Sequence, residues 1–239
     1  MIQDASRAQT QWDDFFLYNP ASRHRRRILF GLIRRFAPQV RHALDVGCGD
    51  GRFLEELQGF FNCRLSGIEI GVSSAPRRLR GRLERLYRID IQEAAVEGPF
   101  DLVACSEVLE HLPRHEAAAR HLAAMCRGLL LVTVPARMRE TDKPMGHLRA
   151  YTEQSLKSLL EGAGFETLAC FRWGFPFHQL YRSLLDILPG AAMTGFGKSR
   201  YGLSQRLLCL LLYALFYLSV PGLGEQLFYA GRKRASVTS

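Results

Sequence analysis

Apolar positions recur along this chain in two rhythms. Early on, Ile28, Leu29, Leu32, Ile33 and Phe36 fall at helical spacing and Pro38 stops the pattern, so residues 1–40 read as a helical segment. Short apolar runs then alternate with amphipathic stretches. The runs at 42–46, 65–70, 87–91, 100–105, 129–134 and 165–171 predict six strands, and 225–232 predicts a final one. Helices are expected at 52–58, 79–86, 114–126 and 152–162, the last with Thr152 as its N-cap. Strands alternating with helices imply a mostly parallel sheet covered on both faces, a doubly wound α/β fold.

The rhythm breaks between the sixth and final strands. Residues 172–224 are too many for a plain connection. They hold a Gly-Phe-Pro-Phe turn, a helical pattern at 178–188, a Gly-rich stretch at 190–202 and the apolar run LLCLLLYALFYL at 207–218. This is read as a helical insertion before the last strand. The chain thus divides into an N-terminal helical segment (1–40), an α/β core (41–171), the insertion (172–224), and a final strand with a basic tail (225–239). The apolar run is shorter than the roughly 20 residues a spanning helix needs. It is either buried or lies in a membrane interface.

Charge and cysteine usage refine this picture. The formal net charge is +9, which favours anionic partners without choosing among phosphate groups, nucleic acid and an acidic membrane surface. The run of Arg23, Arg25, Arg26 and Arg27 reads by default as a solvated helix face. Six cysteines form no CxxC pair and no zinc-like spacing, which fits a reducing compartment. The polar first residues, MIQDASRAQTQWDD, lack the apolar stretch of a secretory signal. The expected location is the cytoplasm, with association to the inner face of a membrane left open.

The strongest chemical signal is LDVGCGDGRFLEEL at 44–57. A strand ends at Asp45 and Val46, then Gly47, Gly49 and Gly51 make a tight turn into a helix. Glycines there let backbone approach a ligand without a Cβ clash. The spacing is GxGxG, not the GxGxxG of dinucleotide sites, and no cradle lysine follows. Glu69 comes 18 residues after Gly51 at a strand end, where a carboxylate can accept from two ribose hydroxyls. At Asp90 and Ile91, a carboxylate for an adenine amino group stands beside an apolar side chain for the ring. Glu107, Glu110 and His111 are spaced i, i+3, i+4, so a helix would put them on one face, with His147 in a loop expected near it. Two carboxylates and two imidazoles can hold Mg²⁺, Mn²⁺ or Zn²⁺. The same residues can instead face the substrate or cap and pack a helix. His147 reads either as a base or as a plain polar contact.

At these residues the chain resembles the class I S-adenosylmethionine-dependent methyltransferases. LDVGCGDG, GIEI, RIDI and FDLVACSEVLEHL are similar to that family's successive motifs, over about residues 40–171. SEVLEHL and GHLRAYT, with AGF following at 163–165, resemble the subgroup that includes the ubiquinone-biosynthesis methyltransferases. The resemblance implies a Rossmann-like, seven-stranded sheet with an antiparallel last strand. It implies S-adenosylmethionine as cofactor, held by Asp45 and the Gly47–Cys48–Gly49–Gly51 loop at its methionine part, by Glu69 at ribose, and by Asp90 and Ile91 at adenine, with Ile70 also among the cofactor-binding residues. Ser106 and Glu107 would line the sulfonium and substrate side, with His111 and His147 as candidate catalytic residues. Metal use through Glu107, Glu110, His111 and His147 is implied by some relatives and absent from others. The expected function is methyl transfer to a small-molecule or lipid-linked acceptor, at oxygen. The rivals are an RNA 2′-O-methyltransferase, against which no RNA-binding module is visible, and a non-catalytic cofactor-binding protein. Oligomeric state is not readable.

Overall fold

The computed structural model describes residues 17–71, 75–187 and 201–234. Its elements run α1 (Pro20–Phe36), β1 (His42–Val46), α2 (Arg52–Phe60), β2 (Arg64–Ile68), α3 (Ala75–Leu79), β3 (Leu83–Tyr87), β4 (Phe100–Ser106), α4 (His115–Met125), β5 (Cys126–Pro135), α5 (Glu153–Gly162), β6 (Phe165–Trp173), α6 (Phe177–Ile187), α7 (Leu203–Phe216) and β7 (Gln226–Lys233). The seven strands form one sheet in the order β3-β2-β1-β4-β5-β7-β6. All neighbouring pairs are parallel except the two made by β7, which is antiparallel to both β5 and β6.

The side-chain alternation of the central strands explains why both faces are covered. In β5, Leu130, Val132 and Val134 pack into one core with Ala118, Leu122, Leu156 and Leu160 of α4 and α5. Leu129 and Leu131 point the other way, into a second core with Leu29 and Ile33 of α1, Leu54 and Leu57 of α2, and Phe216 of α7. β7 repeats the pattern, with Leu227 and Tyr229 on the first face and Phe228 and Ala230 on the second. A strand buried on both faces must be apolar at successive positions, which is how LLLVTV reads. Helix ends follow local chemistry. Thr152 and Ser155 form a reciprocal cap at the start of α5, and Asn19 accepts from the Ser22 N–H ahead of α1.

The third strand departs from expectation. Residues 79–86 were expected as helix and 87–91 as strand, but α3 stops at Leu79 and the strand is Leu83–Tyr87. Arg80 and Gly81 both take left-handed backbone (φ 45° and 81°), which ends the helix. The segment LERLY then pairs with β2, and its half-exposed edge position tolerates charged residues that mask the period-2 signal. Asp90 and Ile91 therefore lie in the turn beyond β3 rather than on a strand. β2 likewise ends at Ile68, leaving Glu69 and Ile70 just past it. The Gly-rich stretch at 190–202 lies largely outside the described residues, as do the chain's first 16 residues and the end of its basic tail.

The insertion contributes α6 and α7 between β6 and β7. α7 packs on α1 through a ring cluster: the buried His24 stacks on Trp173 at 5.3 Å and lies 4.4 Å from Tyr213 and 5.7 Å from Phe216. Its Nε2 donates to the Tyr213 carbonyl at 2.6 Å. His178 of α6 also packs on Trp173, with ring centroids 5.2 Å apart. Burial lowers the pKa of His24 to about 4 and that of His178 to about 3, the latter with help from Arg182. Both are therefore neutral in the folded protein near neutral pH, whereas unfolded imidazoles protonate near 6.5. Between those values the unfolded chain binds more protons, so stability falls as pH drops from about 6.5 toward 4. We expect a loss of about 2–3 kcal/mol from His24 alone across that window. Urea unfolding at several pH values checks this; a His24→Gln variant should show a shallower dependence, and an unchanged slope would contradict the assignment.

Candidate active site

In the strand order 3-2-1-4-5, consecutive connections leave β1 in opposite directions along the sheet, which opens a crevice at the carboxyl ends of β1 and β4. A cleft of about 260 Å³ lies there. Gly47 from the loop after β1, Glu69 after β2, Ile91 after β3, and Glu107 and His111 after β4 line it.

The glycine loop is built by its backbone. Gly47, Gly49 and Gly51 have φ of 73°, 50° and 78°. A Cβ at Gly47 would stand 2.5 Å from Val108 Cγ2, and one at Gly51 would stand 2.9 Å from the Ala75 Cα. Around Gly49 nothing lies within 4 Å of the would-be Cβ, so only its backbone conformation and a ligand constrain that position. The Gly49 N–H donates to Glu69 Oε2 at 2.9 Å, and the Gly71 N–H donates to Glu69 Oε1 at 3.2 Å. Glu69 thus bridges the ends of β1 and β2. Asp45 is buried at the end of β1, and burial, then the charges of Glu69 and Asp50, push its carboxyl well above the usual range. Cys48 is buried beneath Gly67 rather than turned to the cleft.

The other expected residues are placed as follows. Ile91 is buried and lines the cleft beside Ile89 and Leu112, while Ile70 is exposed at its rim. Asp90 caps the turn after β3, where Oδ1 accepts from the Gln92 N–H at 2.8 Å. Ser106 Oγ is 2.7 Å from Thr133 Oγ1 across β4 and β5.

The Glu107–His111 segment corrects the helical expectation. Glu107 has a left-handed φ of 58°, and the chain then makes a single 3₁₀ turn, Leu109–His111. Glu107 is therefore rotated off the face shared by its neighbours. Its Oε1 accepts from Thr133 Oγ1 at 3.0 Å and Gln226 Nε2 at 2.8 Å, and Oε2 pairs with Arg25 at 3.3 Å. Glu110, His111 and His147 come together without it: one ligand atom from each lies within 4.8 Å of the others. The two rings meet edge to face at 4.6 Å. Glu110 is fully buried, and neither carboxylate oxygen has a hydrogen-bond partner among the described residues. Burial, then the charge of Glu107, raises its pKa well above the ordinary range. Burial, then His111, lowers that of His147. An orphaned buried carboxylate beside two imidazoles is a donor set that suits a divalent cation.

Five contacts around the site were not foreseen. Arg25, expected on a solvated face, reaches Glu107 from α1, and Gln226 reaches it from the first residue of β7. In the loop carrying His147, Arg139 pairs with Asp186 of α6 and with Glu225, and Arg182 of α6 pairs with the buried Asp142. Asp142 in turn accepts the His147 N–H on its carbonyl at 3.3 Å. The insertion is thereby clasped to the loop that positions His147. The basic run at 23–27 was the one available signal; the others join residues 40 or more apart, which a single sequence does not pair.

Residues 21–169 match the family model described as a methyltransferase domain. The chain is 35% identical over 95 residues to the ubiquinone biosynthesis O-methyltransferase of Bordetella parapertussis, covering 36% of this chain and 39% of that protein. With the enzyme of the same name from Marinobacter nauticus it is 32% identical over 97 residues, covering 36% and 40%. The matched stretch thus spans about two-fifths of these curated relatives. Among solved structures, the N-methyltransferase NodS of Bradyrhizobium japonicum, in complex with S-adenosyl-L-homocysteine, aligns over 98% of both chains with a TM-score of 0.62 at 19% identity. The [4+2]-cyclase SpnF aligns over 88% of this chain and 82% of its own with a TM-score of 0.58 at 20% identity, so this fold is not confined to one chemistry. The sheet order, the antiparallel last strand and the family match over residues 21–169 agree: the chain belongs to the S-adenosylmethionine-dependent methyltransferases of the class I, Rossmann-like fold.

Proposed function

We propose that the chain transfers a methyl group from S-adenosylmethionine to an oxygen of a small-molecule or lipid-linked acceptor. One observation carries this reading: His111, which stands with His147 beside the buried Glu110, lines the same cleft as Gly47 and Glu69. A cofactor site and a proton-accepting or cation-holding group therefore share one cavity. The curated relatives named as O-methyltransferases support oxygen as the acceptor atom.

The residues present fit the cofactor. The positive-φ loop at Gly47–Gly51 offers backbone without Cβ atoms, Glu69 offers two carboxylate oxygens, and Ile89, Ile91 and Leu112 form an apolar slot for a ring. When bound, the cofactor supplies a methyl carbon activated by positive sulfur. The protein's work is then to align an acceptor with that carbon and to remove the proton an attacking hydroxyl must lose. Because burial keeps His147 neutral, its imidazole can accept that proton or hold a cation. Glu110, His111 and His147 would be the ligands of a divalent ion, whose charge would lower the pKa of a coordinated hydroxyl. Glu107 serves instead to fix the turn that presents Glu110 and His111.

Calorimetric titration with S-adenosylmethionine tests the cofactor half. Glu69→Ala should weaken binding by about 1–3 kcal/mol, the range for hydrogen bonds to a charged group. Gly49→Val should abolish binding, both by placing bulk against the ligand and by straining the left-handed backbone (φ 50°) of the loop, with circular dichroism checking that the domain still folds. Unchanged affinity in both variants refutes the site and would leave the fold without this cofactor.

The acceptor half is tested by turnover on a panel of phenolic and lipid-linked hydroxyl compounds. His111→Ala should keep cofactor affinity within about twofold and lower kcat by about 10²–10⁴, the range for a lost acid–base group. Activity lost to EDTA and restored by Mg²⁺ or Mn²⁺ assigns the group to a cation; activity indifferent to EDTA assigns it to proton transfer.

A further inference from the structure

The insertion carries most of the uncovered apolar surface of the described chain: thirteen of the seventeen exposed large apolar side chains lie between Phe175 and Leu223. On α7 they are ordered rather than scattered. Leu203, Leu207, Leu210 and Leu211 recur at helical spacing and form one stripe, continued by Leu218 in the turn after the helix, with Leu203 75% and Leu211 65% exposed. The helix is held from its opposite side, by the buried Cys209 and Phe216. A helix on the surface of a globular domain turns such a stripe inward; this one turns it outward. No described helix is long and apolar enough to cross a membrane.

The border of the stripe has its own chemistry. Arg23 of α1 lies over the Tyr213 ring at 3.9 Å, and Arg27 lies over Tyr217 at 4.2 Å. Neither arginine makes an ion pair among the described residues. α1 contains six arginines and no acidic residue, and α7 contains no acidic residue. An outward leucine stripe bordered by tyrosines and arginines has the layering of a bilayer surface, with acyl chains, then glycerol, then phosphates.

We propose that α7, with the Arg23–Arg27 border of α1, is a docking face for an anionic lipid bilayer. The leucine stripe enters the acyl boundary, Tyr213 and Tyr217 lie at headgroup level, and Arg23 and Arg27 meet lipid phosphates. Charge decides between this occupant and a second copy of the chain. A two-fold contact through the same face would set these arginines against their own equivalents, on a protein of net charge +9, whereas an anionic surface complements them. The insertion that carries the face leaves the sheet at Trp173 and returns at Gln226, whose side chain donates to Glu107 of the cleft. The inference deepens the proposed function in one respect, because an acceptor drawn from a membrane is amphiphilic. The docking itself involves no methyl transfer.

Flotation with vesicles of phosphatidylcholine plus phosphatidylglycerol, against phosphatidylcholine alone, reads the docking directly. The intact chain should float with the anionic vesicles at low salt and release as salt rises. Changing Leu207, Leu210, Leu211 and Leu218 to serine should abolish flotation while cofactor titration and the melting transition stay unchanged. Arg23→Gln and Arg27→Gln should each weaken binding about fivefold at low salt, the worth of one surface arginine near anionic lipid. A Leu211→Trp variant, read against the parent spectrum, should blue-shift on vesicle addition and be quenched by brominated acyl chains. An intact chain that stays in solution at low salt, or a serine variant that floats as well as the parent, overturns the proposal. So does light scattering that shows a dimer abolished by the serine changes without vesicle binding, which gives the face to a second copy. Vesicle binding with no methyl transfer would leave the docking face standing and count against the proposed activity alone.

Discussion

The carboxylate of Glu107 ties together parts of the chain that are far apart in sequence. It accepts from Thr133 on the central strand β5 and from Gln226 at the start of β7, and it pairs with Arg25 on α1. These contacts lie at the ligand edge of the sheet, where the parallel strands end and the antiparallel one begins. They also hold Glu107 in left-handed backbone, a conformation that costs a non-glycine residue about 1 kcal/mol or more and persists only where surrounding structure determines it. The consequence is directional. Because the chain turns at Glu107 rather than continuing as a helix, Glu110 goes into the interior and His111 into the cleft.

Burying Glu110 with no hydrogen-bond partner is expensive, and a domain built only for stability would place a leucine there. The nearby polar atoms do not relieve it. His147 Nδ1 is also buried and unpartnered, and burial holds that imidazole in its neutral form. Two buried groups without hydrogen-bond partners, beside the cleft that His111 lines, are a departure from what stability alone would select. The clasp of Arg139 and Arg182 onto Asp186 and Asp142 offsets part of that cost by fixing the loop that carries His147.

What could be read from the sequence was what repeats locally. The buried central strands announce themselves as apolar runs, and the glycine turn between β1 and α2 is a contiguous signature. Both lie where short-range chemistry decides the conformation. The edge strand β3 was misplaced because an exposed edge does not require apolar alternation, and LERLY carries two charges in five residues. The ExxEH spacing suggested a helical face, but a tertiary contact at Glu107 overrode that local preference. Arg25 was read as solvated because its partner lies 82 residues away; only the folded sheet brings them together.

The direction of β7 determines why an insertion is tolerated at this point of the fold. β7 is the one strand that runs backwards, so the connection from β6 to β7 begins and ends at the ligand edge, however long it becomes. Length added there disturbs neither the parallel ladder nor the two cores; it can only build over the cleft or outward from it. α6 turns back and pairs with the loop of His147, while α7 packs on α1 through His24, Trp173 and Phe216 and leaves its leucines outside. Arg25, on the same α1 helix, reaches Glu107. A displacement of α7 against α1 therefore has a short mechanical route to the turn that presents Glu110 and His111: through one helix, one ion pair and one carboxylate.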